Sequence, residues 1–330
     1  MGAEVIVKYL YGMYPYDNAE IIVIGDLCCI ADAIKRAKLP MHVNCIKQPS
    51  EASAQPYTID LYDLSIIRPG SWEYKKISAL NGRASFSYLE AATTFALNGE
   101  VDALITMPIS KRTLKETGYL YTGNTDILAD LTESREYSNM LINERLRVMQ
   151  VTNHLPLKDV IERITEERVY KTIMHAHNAT IMCGIKTPKI VVCGINPHAS
   201  PGCIFGREDE EIVLPAINRA NTHGMNVCGP VDASTAFTLA YLGQFDVIIT
   251  MYHDQGNPAF MLASIAAAGD SNSQTHYACG TNMTYGLPFI RTSVNFDERF
   301  DIAGDGKADP SELKTAVECT LKLIKYNQHI

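Results

Sequence analysis

Short apolar runs alternate with longer amphipathic segments along this chain of 330 residues. β-rich apolar runs occupy 21–25, 102–106, 147–152, 190–195 and 246–251, and helix-like segments occupy 28–38, 85–99, 158–176 and 208–222. This alternation predicts βαβ units and a mostly parallel sheet, an α/β fold. The helix from 158 sets Val160, Ile161, Ile164, Val169, Ile173 and Met174 close to helical spacing. His175 and His177, two apart near its end, fall on different faces and read as helix-terminal or surface residues. Residues 48–58 and 266–281 read as loops, and the second, rich in small and polar residues, is long enough to suggest a functional or disordered segment.

Three of the predicted strands run into a polar segment with a histidine. RVMQVT (147–152) leads to His154, IVVCGI (190–195) to His198 and DVIITM (246–251) to His253. Parallel strands end side by side, and open α/β sheets place ligands at their carboxyl ends, so the three imidazoles can converge. A lone strand-end histidine is usually a hydrogen-bonded structural residue, but three in one repeated context favour a metal site. Asn153 and Asp254 stand beside two of them and can orient the rings. Neutral imidazole suits zinc, copper, iron and nickel, and three protein ligands leave a position open for substrate.

Composition narrows the class. Hydrophobic residues at 46% and charged residues at 20% are those of a soluble globular protein, and the length points to two domains or one large α/β unit. The net charge of −8 carries no basic stripe, which argues against nucleic acid. No apolar run approaches the roughly 18–20 residues of a membrane span, and no secretory start precedes the first strand, so a cytoplasmic protein without a membrane partner is expected. Nine scattered cysteines without a CxxC fit reduced thiols. The usual signals of a Rossmann dehydrogenase, a P-loop, an α/β-hydrolase and a zincin are absent, and Gly304-Asp305-Gly306 reads as a plain turn.

The strings Val-Cys-Gly-Ile-Asn-Pro-His198, Gly206-Arg207-Glu208-Asp209, Met-Tyr-His253-Asp-Gln-Gly and Gly286-Leu-Pro-Phe-Ile-Arg-Thr-Ser293 resemble the 4-hydroxythreonine-4-phosphate dehydrogenase family. Thr106-Met-Pro-Ile-Ser-Lys111, Asn153-His-Leu-Pro-Leu157 and Asp301-Ile-Ala-Gly304 extend the match in order from about residue 4 to about residue 325. The resemblance implies a fold like that of the isocitrate and isopropylmalate dehydrogenases, with two α/β domains flanking a cleft. Residues 1–120 with 270–330 would form the first and 121–269 the second, which carries most metal ligands. It also implies oxidation of a small-molecule secondary alcohol with NAD or NADP, after which the β-keto acid can lose carbon dioxide. A divalent metal would be held by His154, His198 and His253, zinc first, with magnesium, manganese or cobalt as alternatives, in a homodimer whose subunits share the active site. Asn124, Thr125, Asn282 and Arg291 match substrate-binding positions, and Asp254 is the matching catalytic carboxylate. An interdomain ion pair is the structural alternative for Arg291.

Five positions depart from the family pattern. The chain starts inside the glycine-rich opening motif, so a first strand and a substrate-facing turn are expected to be missing. Asn124 replaces an imidazole, and Ser234 stands where a carboxylate is expected, with Asp232 two residues away. Met261 replaces a lysine, and Phe296-Asp297-Glu298-Arg299 replaces the loop that wraps the adenine. These changes predict poor use of phosphorylated hydroxythreonine, weak NAD binding and weaker NADP binding. They leave three readings: a dehydrogenase of another 3-hydroxy acid, such as a threonate- or erythronate-like analogue; the standard enzyme with rearranged contacts; or a weakly active or inactive metal-binding relative that acts as a binding protein.

Overall fold

A computed structural model describes residues 1–12, 19–267, 280–296 and 298–327. Most of the long loop expected at 266–281 therefore lies outside the described residues, as does Asp297. The chain divides into two compact units, Met1–Arg135 with Leu287–Leu321, and Glu136–Gly286 with Lys322–Ile330. Both are mixed α/β, the class that the alternating pattern predicts.

The first unit opens with α1 (Gly2–Gly12), β1 (Ile22–Gly25), α2 (Leu27–Ala37), β2 (His42–Ile46) and β3 (Thr58–Asp63). It continues with α3 (Ala79–Leu97), β4 (Ala103–Thr106), α4 (Lys111–Glu116) and α5 (Asn124–Leu131). β3 lies between β1 and β2, parallel to both. Val5, Val7 and Leu10 of α1 and Ile30 and Ala33 of α2 pack with Ile59 and Leu61 of β3 into one core. A second core joins Leu89, Leu104, Leu114, Ile127 and Leu128.

The second unit contains β5 (Ser138–Ile142), β6 (Arg147–Gln150), α6 (Leu157–Arg163), α7 (Glu166–Met182), β7 (Lys189–Cys193) and α8 (Leu214–Thr222). β8 (Asn226–Val231), α9 (Ala233–Tyr241), β9 (Val247–Thr250), α10 (His253–Ala267) and β10 (Thr281–Tyr285) complete it. The chain then returns to the first unit with β11 (Ile290–Val294), parallel to β4, and ends in α11 (Ser311–Asn327). Strands of the second unit run in the order β10-β5-β6-β9-β7-β8. β5 is antiparallel to both neighbours, while β6, β9, β7 and β8 are parallel. Ile190, Val191, Val192, Val247, Ile248 and Ile249 are fully buried, as expected of central strands covered on both faces. Ala236 and Ala240 of α9 and Phe260 of α10 cover one of those faces.

The single helix expected over 158–176 is two helices. Ile164 turns extended at ψ 109°, and the Thr165 hydroxyl accepts the Arg168 N–H at 3.2 Å, an N-cap that restarts the chain as α7. α7 then runs on to Met182 and stops before Gly184, whose φ of 89° suits glycine; a Cβ there would sit 2.8 Å from the Tyr326 ring. His175 is thus an interior helix residue, buried and hydrogen-bonded through Nδ1 to the Ser138 hydroxyl at 2.8 Å, rather than a helix end. His177 likewise lies inside α7. The segment expected as one helix over 208–222 begins with a π-helical turn, Asp209–Val213, before α8. Among the described residues no helix is long and apolar enough to cross a membrane, and the described cysteines form no disulfide.

Candidate functional site

The parallel strands β6, β9 and β7 are neighbours, so the segments that follow them emerge at one edge of the sheet. Between β6 and β9 the ladder continues past the strand ends. Val151 N–H donates to the Thr250 carbonyl at 2.8 Å and Thr152 N–H to the Met251 carbonyl at 3.1 Å. His154 follows with φ 37°, and His253 opens α10. His198 sits in a tight turn in which His198, Ala199 and Ser200 have φ of 57°, 56° and 45°. Left-handed backbone at a non-glycine residue costs on the order of 1 kcal/mol or more each, so it persists only where the surroundings fix it.

The imidazoles of His154 and His253 face each other with centroids 5.5 Å apart and planes at 40°. His253 Nδ1 donates to Asp254 Oδ1 at 2.7 Å, and its Nε2 accepts from Asn257 Nδ2 at 2.9 Å. Gln150 Nε2 in turn donates to Asn257 Oδ1 at 2.7 Å. The carboxylate fixes the proton on Nδ1 and leaves the Nε2 lone pair as the outward donor, the arrangement that carboxylates impose on metal-binding histidines. Asp254 itself is 79% exposed, so it orients the ring more than it stabilises the fold. His198 lies on the adjacent loop with its ring 6.4 Å from that of Phe205. Among the described residues no three His, Cys, Asp or Glu side chains assemble as an ion-holding group. The chain thus brings two of the three expected ligands together and holds the third on the neighbouring strand end. Its all-imidazole donor set, with one tautomer preset, fits a borderline divalent cation once Asn257 gives way at Nε2.

In the first unit Arg291 projects from β11 and is 2% exposed. Its guanidinium donates to Thr106 Oγ1 at 2.6 Å and Thr125 Oγ1 at 3.3 Å. Asn124 Nδ2 donates to the Met107 carbonyl at 2.8 Å, so the end of β4 and the first turn of α5 are joined around this arginine. Burial pushes the Arg291 guanidinium down to about 10. A desolvated cation of this kind is repaid by an anion placed against it, and a guanidinium can grip a carboxylate or phosphate with two bonds. Asn282, in the second unit, pairs through its backbone with Leu141, and its buried Oδ1 accepts no hydrogen bond among the described residues. A donor from a ligand would satisfy it.

The departing positions have structural occupations. Met261 packs against the apolar cluster of α9 and α10. Asp232 caps α9 by accepting the Thr235 N–H at 3.1 Å, and Ser234 donates its hydroxyl to the same carboxylate. These donors, the Ser234 hydroxyl first, hold the Asp232 carboxyl down to about 2. Phe296 packs into the first unit's core, while the amides of Asn295 and Phe296 donate to Glu312 Oε2 at 2.8 and 3.0 Å. Arg299 is committed to Asp301, with two bonds of 2.9 Å.

Sequence reasoning singled out neither Gln150 nor Asn257, and met Thr106, Asp209 and Gln255 only inside motif strings, without a role. For Asn257 a signal existed, since it lies four residues after His253 and therefore on the same helix face. The others bind backbone or distant side chains, which no local spacing announces.

The profile of the family described as "Pyridoxal phosphate biosynthetic protein PdxA" matches residues 17–320. The D-threonate 4-phosphate dehydrogenase of Cupriavidus necator is 39% identical over 318 residues, covering 96% of this chain and 92% of that protein. A crystal structure of a 4-hydroxythreonine-4-phosphate dehydrogenase from Burkholderia phymatum superposes with a TM-score of 0.81 at 36% identity, covering 98% of this chain and 94% of that one. Another from Klebsiella pneumoniae gives 0.86 at 31% identity, with coverage of 98% and 94%.

Proposed function

This chain belongs to the PdxA family, and on that footing we propose that it is an oxidoreductase that oxidises the CH–OH group of a small phosphorylated hydroxy acid, with D-threonate 4-phosphate as the preferred member of that class. The observation that carries the reading is the buried Arg291 guanidinium held by Thr106 and Thr125, a preformed seat for an anionic group. Preference for the threonate over the amino-bearing hydroxythreonine is supported by the activity named for the Cupriavidus relative.

His154, His198 and His253 would hold a divalent cation, zinc first. When bound, such an ion supplies a Lewis acid that lowers the pKa of the substrate hydroxyl. Asp254 keeps the His253 ring in its donor tautomer, Asn282 Oδ1 accepts a substrate hydroxyl proton in a hydrogen bond, and Arg291 orients the anionic end. A nicotinamide dinucleotide would accept the hydride, and the hydroxyl proton would pass to solvent. NAD is favoured over NADP, because Glu298 and Asp297 add negative charge to the 296–299 loop and Arg299 is already matched by Asp301. A second copy of the chain would contribute to the metal site.

The test is the absorbance of reduced nicotinamide during turnover of D-threonate 4-phosphate and of 4-hydroxythreonine 4-phosphate, each with NAD and NADP. A kcat/KM about tenfold or more higher for the threonate with NAD is expected. The reverse substrate order would overturn the assignment, and no reduction with either substrate would favour a metal-binding relative without catalysis.

A further inference from the structure

Arg291 of β11 stands opposite Leu104 of β4, and Ser293 opposite Thr106. Residues two apart on a strand share a face, so Arg291 and Thr106 lie on the same side of the sheet, with Thr106 two residues nearer the carboxyl ends. Two residues of strand rise by about 6.6 Å, a distance that an arginine side chain can span. The guanidinium does reach that far, for Arg291 Nη2 donates to Thr106 Oγ1 at 2.6 Å. The charge is thereby carried from the middle of β11 to the sheet edge, where open α/β sheets place their ligands. Thr106 is itself fixed. It is 5% exposed and closes β4, and the carbonyl of the next residue, Met107, accepts from Asn124 Nδ2 at 2.8 Å. Its branched Cβ leaves χ1 few choices.

A threonine hydroxyl has one proton to give and two lone pairs to accept with. Thr106 and Thr125 each use a lone pair on the guanidinium, at 2.6 and 3.3 Å. Among the described residues neither hydroxyl gives its own proton to an acceptor. Both therefore keep a donor for a ligand oxygen, and at the buried Thr106 an unmade hydrogen bond is costly.

We propose that Thr106 is a positioning residue of the anion seat, its hydroxyl holding the Arg291 guanidinium at the carboxyl edge of the sheet and turning its own proton toward the same ligand. The inference rests on the reading that Arg291 receives the anionic end of the substrate. A threonine that only satisfied a buried cation would matter to stability alone. One that aims the cation matters to the anion as well.

The experiment titrates the full-length chain with D-threonate 4-phosphate and with inorganic phosphate by calorimetry, with Tm alongside, for wild type, Thr106→Val, Thr106→Ser and Arg291→Met. Valine keeps the branched shape and removes the hydroxyl, whereas serine keeps the hydroxyl. Thr106→Val is expected to weaken both ligands about ten- to a hundredfold, as for a lost hydrogen bond to a charged group, and Thr106→Ser to restore most of the affinity. In turnover of D-threonate 4-phosphate with NAD, the valine variant should raise KM by a similar factor and change kcat less. Wild-type affinity and KM in Thr106→Val overturn the inference, whatever its Tm. An equal loss in the serine variant overturns it too, since the hydroxyl would then not be the group that counts. Failure of the wild type to bind either ligand, or undiminished binding in Arg291→Met, overturns the reading of the seat and the inference with it. Should the valine variant fail to fold, Thr106→Cys, whose thiol is only a weak acceptor, takes its place, and wild-type affinity in that variant overturns the inference.

Discussion

In the second unit the candidate imidazoles stand on segments beyond the strand ends, and side-chain amides and carboxylates hold them from Gln150, Asp209, Asp254, Gln255 and Asn257. In the first unit the candidate cation projects from inside a strand, is almost wholly buried, and is met by two threonine hydroxyls. The first arrangement displays its chemistry and spends little stability on it. The second removes a full charge from water, a cost of several kcal/mol before any partner is counted. Loop-borne ligands are therefore expected to be separable from the fold, whereas the buried arginine trades fold stability against ligand binding.

The largest effect should come from His253→Ala. With Co²⁺ at about a hundred to a thousand times its dissociation constant, the wild type should gain about 3–4 kcal/mol of stability, seen as a rise in Tm, and the variant should gain none. An equal rise in both would move the ion away from the imidazoles. Next is Arg291→Met, which replaces a buried cation with an apolar chain of similar length. Tm should stay level or rise, because buried ions are often less stabilising than well-packed apolar groups. In the same variant kcat/KM for a phosphorylated substrate should fall by about 1.5–3 kcal/mol, roughly ten- to a hundredfold or more. A large drop in Tm would make the arginine structural and erase the contrast between the two regions.

A third effect belongs to the first unit alone. Burial, with Asp309 adding to it, raises the Glu312 carboxyl to about 7, against 4.5 when exposed. Between those values the folded protein holds a proton that the unfolded chain has lost, so stability falls as pH rises from about 4.5 toward 7. The loss amounts to about 1–3 kcal/mol. Glu312→Gln should flatten Tm against pH over that window, and an unchanged slope would assign the dependence elsewhere. The smallest effect is Asp232→Ala in the second unit, which removes the cap of α9 and should cost about 1 kcal/mol in a denaturant titration. A loss several times larger would mean that this carboxylate does more than cap.

The imidazole region was more legible in the sequence than the arginine region. Apolar strands that end in parallel advertise their carboxyl ends, so His154, His198 and His253 could be placed at one sheet edge from the runs that precede them. β11 read instead as part of a motif string and β10 was not read as a strand, because Thr281–Tyr285 and Ile290–Val294 interleave threonine, asparagine and arginine with apolar residues and blur the period. β2 was hidden in the same way by His42, Asn44 and Cys45. The break inside 158–182 went unseen because Thr165 interrupts no apolar position while its hydroxyl ends one helix and starts another. Gln255 and Asp209 stood inside motif strings, but their contacts could not be read there, because their partners are backbone groups brought near only by the tertiary fold.

The strand order also bears on how the molecule is made. β6 gains β5 as an antiparallel neighbour almost at once, but its other neighbour, β9, arrives about a hundred residues later, and contacts of such long sequence separation are slow to form. At about 5–20 residues per second, a ribosome needs on the order of 5–20 s to deliver the intervening chain. Throughout that interval the apolar inner edge of β6 stands unpaired on the nascent polypeptide, open to mispairing or to a chaperone. The meeting of His154 with His253 is accordingly a late event in biogenesis, and it closes the same seam that shields this edge.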